Sequence, residues 1–232
     1  WGYISGNTID KNDPVWKGLD KILFSPIKHE SGAQLVVRAV SIDSSDGTTS
    51  DAVYHYVRTR QRRGVMAVKG SSNDYGNREI FSKPKATDTR GRHNTKADKH
   101  GLQVYIVGTH KAKDLIASRM KLPGTGPGRM HWYQNIRADY YDQMTGEVKA
   151  PHRSMRGKRV WQKKAGAAVE ALDCEVYALH ASRAIRVHLM GQRQWDELEQ
   201  TLLQPGLFGS SEMITEEPSL SFRKRGVRSK GV

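Results

Sequence analysis

The sequence predicts an α/β domain, a central sheet flanked by helices. Short β-branched runs alternate with segments of helical periodicity, the pattern of a sheet with helices on its faces. Gly, Pro, Asn and Asp clusters punctuate the chain between them. The 232 residues suit one domain with appendages or two small ones, and 37% hydrophobic content is enough for a core.

Residues 1–9 read as a short strand or hairpin. A helix over 13–24 follows from Pro14 at its start and from Val15, Trp16, Leu19 and Leu23 near helical spacing. Residues 35–42 form a β-branched run, read as a buried strand ending at Asp43. A Ser/Gly/Thr loop leads to a helix over 51–60, then a strand over 65–69. Residues 70–100 are rich in Gly, Ser, Asn, Lys and Arg, and predict a long basic loop. Val104–Val107 is a strand, and a helix runs from about His110 to Met120. The Gly124–Gly128 turn cluster precedes a strand over 129–133 and a short helix over 137–145. A last strand covers 158–162. The longest helix runs from about Ala168 to Met190, with positions 169, 172, 176, 179 and 185 apolar. A short helix around Trp195, Leu198 and Leu202 follows, then a flexible basic tail from Pro205. The implied organisation is a domain over 1–190, a helix within 191–204 and a tail over 205–232.

Charge narrows the function. A net charge of +14 points to nucleic acid or another polyanion. A membrane surface fits less well, since no apolar run approaches the ~20 residues needed to span a bilayer. A single cysteine, Cys174, excludes an intramolecular disulfide framework and suits a reducing compartment. It reads as a small core residue. No P-loop is present, which excludes ATP hydrolysis by that route.

Glu170 and Asp173 lie one helical turn apart and share a face. They read either as metal ligands facing a polyanion or as helix-start acids complementing the dipole. Asp43 stands at a strand's carboxyl end, where open α/β sheets bind ligands, or it caps the Ser-rich turn. If the long helix crosses that strand end, the three acids meet. Such hard oxygen donors suit Mg²⁺ or Mn²⁺. Two ions roughly 4 Å apart could then activate water and stabilise the leaving oxygen of a phosphodiester. Lys113 near a helix start could orient a phosphate, or be merely solvated. Glu175 reads as solvated. Phosphate contacts are expected from Lys149, Arg153, Arg156, Lys158, Arg159, Lys163 and Lys164, in a stretch without acids from 148 to 169. Lys83, Lys85, Arg90 and Arg92 of the basic loop are expected to join them.

Seven segments carry a resemblance: His29-Glu-Ser-Gly-Ala, Ala39-Val-Ser-Ile-Asp43-Ser, Ala52-Val-Tyr-His-Tyr-Val-Arg, Val107-Gly-Thr-His-Lys-Ala-Lys113-Asp114, Tyr140-Tyr-Asp-Gln-Met-Thr, Val160-Trp-Gln-Lys-Lys and Glu170-Ala-Leu-Asp173-Cys-Glu-Val-Tyr-Ala-Leu. In that order, over about 1–190, the chain resembles the C-terminal nuclease domain of the large terminase subunit of lambda-like tailed phages. The resemblance implies an RNase H-like mixed sheet and a Mg²⁺- or Mn²⁺-dependent endonuclease that cuts concatemeric double-stranded DNA during packaging. It implies Asp43 and Asp173 as ligands, Glu170 in the same helix motif, and a phosphate- or water-orienting role for Lys113. It also implies the terminase small subunit and the capsid portal as partners, and the host cytoplasm as location. The family's first acid is expected before Trp1-Gly2. Residues 1–232 are therefore expected to bind metal weakly and cleave little, and the alternative is a catalytically incomplete DNA-binding or portal-docking module.

Overall fold

A computed structural model describes residues 1–71, 75–84 and 96–203. The expectations for Lys85, Arg90, Arg92 and the 205–232 tail lie outside those residues. Helix α1 (Pro14–Phe24) begins where Asp13 accepts the Val15 N–H at 2.8 Å and Pro14 presets the first turn. A small antiparallel ribbon, β1 (Ile27–Lys28) with β2 (Gln34–Leu35), follows. Then come β3 (Val40–Asp43), α2 (Ser50–Arg58), β4 (Val65–Gly70), α3 (Lys96–Lys99), β5 (Tyr105–Val107), α4 (Thr109–Met120) and α5 (Asp139–Met144). The antiparallel hairpin β6 (Glu147–Pro151) and β7 (Arg159–Lys163) leads into α6 (Glu170–Ala184), and α7 (Gln192–Leu203) closes the described chain. No helix among the described residues is long and apolar enough to cross a membrane.

Among the described residues the central sheet has order β3-β4-β5 with both pairings parallel. The antiparallel pairing expected of a mixed sheet sits instead in the two separate ribbons. Alternation along β4 builds a core on each face. Val65 and Ala67 pack with Val15 and Trp16 of α1 and with Ala52, Val53, Tyr56 and Val57 of α2. Met66 and Val68 pack with Ala112 and Ile116 of α4, Tyr140 and Met144 of α5, and Leu172 and Val176 of α6. The result is three layers, helix–sheet–helix.

Four expectations need correction. The strand read over 35–42 as buried is split between β2 and β3, and β3 is only partly covered because it is a sheet edge. Residues 1–9 and 129–133 form no strand. The end of the basic loop is packed, since Ala97 and Leu102 are buried in the α1–α2 core. The long helix stops at Ala184, because Arg186 adopts a left-handed φ of 62° that breaks the α-helical run.

Candidate active site

Helix α6 runs across the end of β3, and one stripe of its side chains makes the crossing. His180 Nδ1 lies 2.8 Å from Ser41 Oγ on β3. Tyr177, one turn earlier on the helix, reaches Asp43. Asp173, a further turn back, reaches Lys113 of α4 at 3.2 Å. The spacing 173, 177, 180 keeps all three on one helix face. Asp43 is paired in register with Val68, at the carboxyl end of its parallel strand. Its Oδ1 accepts from Ser45 N at 3.0 Å and Ser45 Oγ at 2.7 Å, an Asx-type turn that fixes the carboxylate. The turn-capping reading and the site reading of Asp43 are thus compatible.

Lys113 is the hub. Ala112 and Ile116 bury α4 against the sheet, and this holds the Lys113 stem inward. Its side chain is only 11% exposed, and Nζ donates to Glu147 Oε1 at 2.7 Å. An ammonium in such a place needs carboxylate partners, because burying an isolated charge is very costly. Glu147, on β6, is 10% exposed, and its Oε2 is buried with no partner among the described residues. Burial pushes the Asp173 carboxyl above the usual carboxylate range; Lys113 opposes that rise, while Glu147 and Asp43 add to it. Burial, Asp43 and Asp173 together push the Tyr177 hydroxyl well above its ordinary value. Asp43, Glu147 and Asp173 therefore form one electrostatic neighbourhood around a single lysine.

The donor chemistry suits a hard divalent cation, since carboxylate oxygens are what Mg²⁺ and Mn²⁺ take. The orphaned Oε2 of Glu147 leaves acceptor capacity there. Among the described residues, however, no three His, Cys, Asp or Glu side chains converge as a ready-made metal cage. These donors suit an ion held partly by water rather than an all-protein cage.

Glu170 is exposed, and its Oε2 accepts the Val169 N–H at 3.0 Å at the helix's own start. That is the dipole-complementing geometry. Glu175 is not solvated as expected: it accepts the Tyr140 hydroxyl and ties α6 to α5. Cys174 is exposed rather than a core residue, because Leu172 and Val176 take the buried face of α6. Composition and motif reading missed Glu147 and Tyr177. Glu147 is the last acid before the acid-free basic stretch, and Tyr177 falls four residues after Asp173; both positions were available as signals.

The β6–β7 hairpin carries the expected cations. Arg153, Arg156, Lys158, Arg159, Lys163 and Lys164 are exposed, as is Lys83. Lys158 lies over the Tyr75 ring at 4.5 Å. Lys149 is instead paired with Asp114 at 2.7 Å, and Trp161 Nε1 donates to the same carboxylate at 3.0 Å. This node pins the hairpin to α4. The hairpin thus bears Glu147 at its root, opposite Lys163, and solvent-facing cations toward its tip.

Residues 1–195 match the family model for the terminase large subunit gpA endonuclease domain. The chain is also 29% identical over 175 residues to the "Terminase, large subunit" of Escherichia phage lambda, covering 71% of this chain and 25% of that protein. It therefore spans about a quarter of the length of that relative. No solved structure matches.

Proposed function

Because the chain belongs to the terminase large subunit gpA endonuclease-domain family, we propose that it is a metal-dependent DNA endonuclease acting in viral genome packaging. The observation that carries this reading is the junction of Asp43, Asp173, Lys113 and Glu147 at the root of a cationic hairpin. In this reading the fold is RNase H-like, the substrate is concatemeric double-stranded DNA, and the setting is the host cytoplasm. The small subunit and the capsid portal are the partners of the whole protein.

Asp43 and Asp173 would hold Mg²⁺ or Mn²⁺, with Glu170 one turn away on the rim. A bound divalent ion supplies an activated water and charge stabilisation at the phosphorus. The chain's own residues do the rest. Arg153, Arg156, Lys158, Arg159, Lys163 and Lys164 grip backbone phosphates and set the duplex over the root of the hairpin. Lys83, Lys85, Arg90 and Arg92 extend that grip. The Lys113 ammonium, fixed by Glu147, faces the scissile phosphate and offsets charge that builds on its oxygens. Tyr177, kept protonated by burial and the two aspartates, steadies Asp43.

Cleavage of supercoiled plasmid in Mg²⁺ or Mn²⁺ tests the proposal. Asp43→Asn and Asp173→Asn should each lower the rate by about a hundredfold or more while DNA binding persists. Unchanged cleavage in both variants would sink the site. A second reading, a DNA-binding module without chemistry, is favoured by the absence of a converged three-ligand cage among the described residues. DNA binding without any metal-dependent cleavage would select it.

A further inference from the structure

We propose that Lys113, positioned by Glu147, is a built-in cation that takes the place of a second metal ion, so that this acidic centre binds one divalent ion. The inference rests on the endonuclease reading of the same site and specifies how the site is charged.

The position against Asp173 is already filled. Lys113 Nζ lies 3.2 Å from Asp173 Oδ1 and 2.7 Å from Glu147 Oε1, at ion-pair distance from both. An ammonium is a compact, strongly charged donor group, well suited to stand where a metal ion would. It is covalently tethered to α4, so it does not leave as a dissolved ion does. Glu147 is the residue that aims it. The carboxylate is nine-tenths buried, and one of its oxygens is given to the lysine. Its other oxygen is buried without a partner among the described residues, so the centre keeps acceptor capacity for an ion's bound water. Charge agrees with the geometry. Among the described residues, Asp43, Glu147 and Asp173 carry three formal negative charges and Lys113 one positive charge, leaving two, the charge of a single divalent ion.

Mn²⁺ titration of the 232-residue chain, following free Mn²⁺ by electron paramagnetic resonance, reads occupancy without reference to cleavage. One ion is expected in the unsubstituted protein, lost in Asp173→Asn. Lys113→Met should admit a second ion or tighten the first by about tenfold or more, since removing a unit charge a few ångströms from a divalent ion has at least that effect at protein-surface dielectric. Leaving Glu147 unpaired could unfold that variant, so Lys113→Met combined with Glu147→Gln serves as the second test. The double variant keeps the original net charge, and tighter Mn²⁺ binding there reports the vacated position alone. For plasmid cleavage, Glu147→Gln should slow turnover in the unsubstituted chain and add no further loss in the Lys113→Met background. Weaker Mn²⁺ binding on Glu147→Gln in both backgrounds would mean that Glu147 binds metal directly, and would overturn the positioning role. Two ions, or none, in the unsubstituted protein would overturn the proposal, as would an affinity that ignores Lys113. Cleavage that survives both Asp43→Asn and Asp173→Asn would instead refute the nuclease site, whatever the Mn²⁺ count.

Discussion

Acidification should unlock helix α6 through His180. The ring is fully buried between Phe81 and Tyr105, with Nδ1 on Ser41 and Nε2 without a partner among the described residues. Burial pushes its pKa from 6.5 down to about 4. Between those values the unfolded chain binds a proton that the native protein refuses. Stability from the neutral ring is therefore intact above about pH 6.5 and is lost as pH falls toward about 4. At roughly 1.4 kcal/mol per pH unit, the full loss is about 3 kcal/mol, of which about 2 kcal/mol is gone by pH 5. Urea unfolding at about pH 7.5 and pH 5 measures it, with His180→Gln as the comparison. The raised Asp173 carboxyl acts in the opposite direction, gaining stability on acidification, but it is common to both proteins and cancels. His180→Gln should be less stable at neutral pH and should lose about 2 kcal/mol less than the parent on going to pH 5. Equal losses in the two proteins would refute the argument.

Gly146→Ala should destabilise the fold by about 1–3 kcal/mol, read as a lower melting temperature, because a Cβ there would lie 2.6 Å from the Ala168 carbonyl oxygen. Its cleavage rate should fall too, since Gly146 directly precedes Glu147 in the chain. Asp114→Ala removes the shared acceptor of Lys149 and Trp161. The pair is about 40% exposed, so the cost should stay near 1 kcal/mol in a urea melt, and a loss above about 3 kcal/mol would contradict the geometry. DNA affinity should fall steeply with salt. Arg153→Gln combined with Arg156→Gln should lower the slope of log affinity against log salt by about 2, and an unchanged slope would remove the hairpin from the interface.

Much of this arrangement was legible in the residues. Asp13-Pro14 announces α1, since a capping carboxylate before a fixed φ is a local signal that needs no tertiary help. Asp43 was placed at its strand end because the β-branched run stops there. What escaped depends on contacts between distant segments. Strand β6 has no apolar run; it exists because it pairs with β7 and docks through Lys149 and Trp161 onto Asp114. Glu147 stood out in sequence only as the last acid before the basic stretch, and its pairing with Lys113 arises from that docking. Arg186 ended α6 without a glycine to signal it, by adopting a left-handed backbone that sequence propensity disfavours. Glu170 and Asp173 share a helix face by spacing, and the resemblance favours Asp173; in the structure Glu170 accepts the N–H at its own helix start while Asp173 pairs with Lys113.

Asp43, Lys113, Glu147 and Asp173 come from four different elements, and the contact that seals them, Ser41 with His180, joins residues 139 apart in sequence. No subset of neighbouring elements contains the centre. A chain still emerging from the ribosome, or one clipped before α6, lacks Asp173 and leaves Lys113 with half its partners. Synthesis and folding thus act as an interlock: the ion pairs of Lys113 are complete only once α6 has packed, after the cationic hairpin that precedes it in the chain.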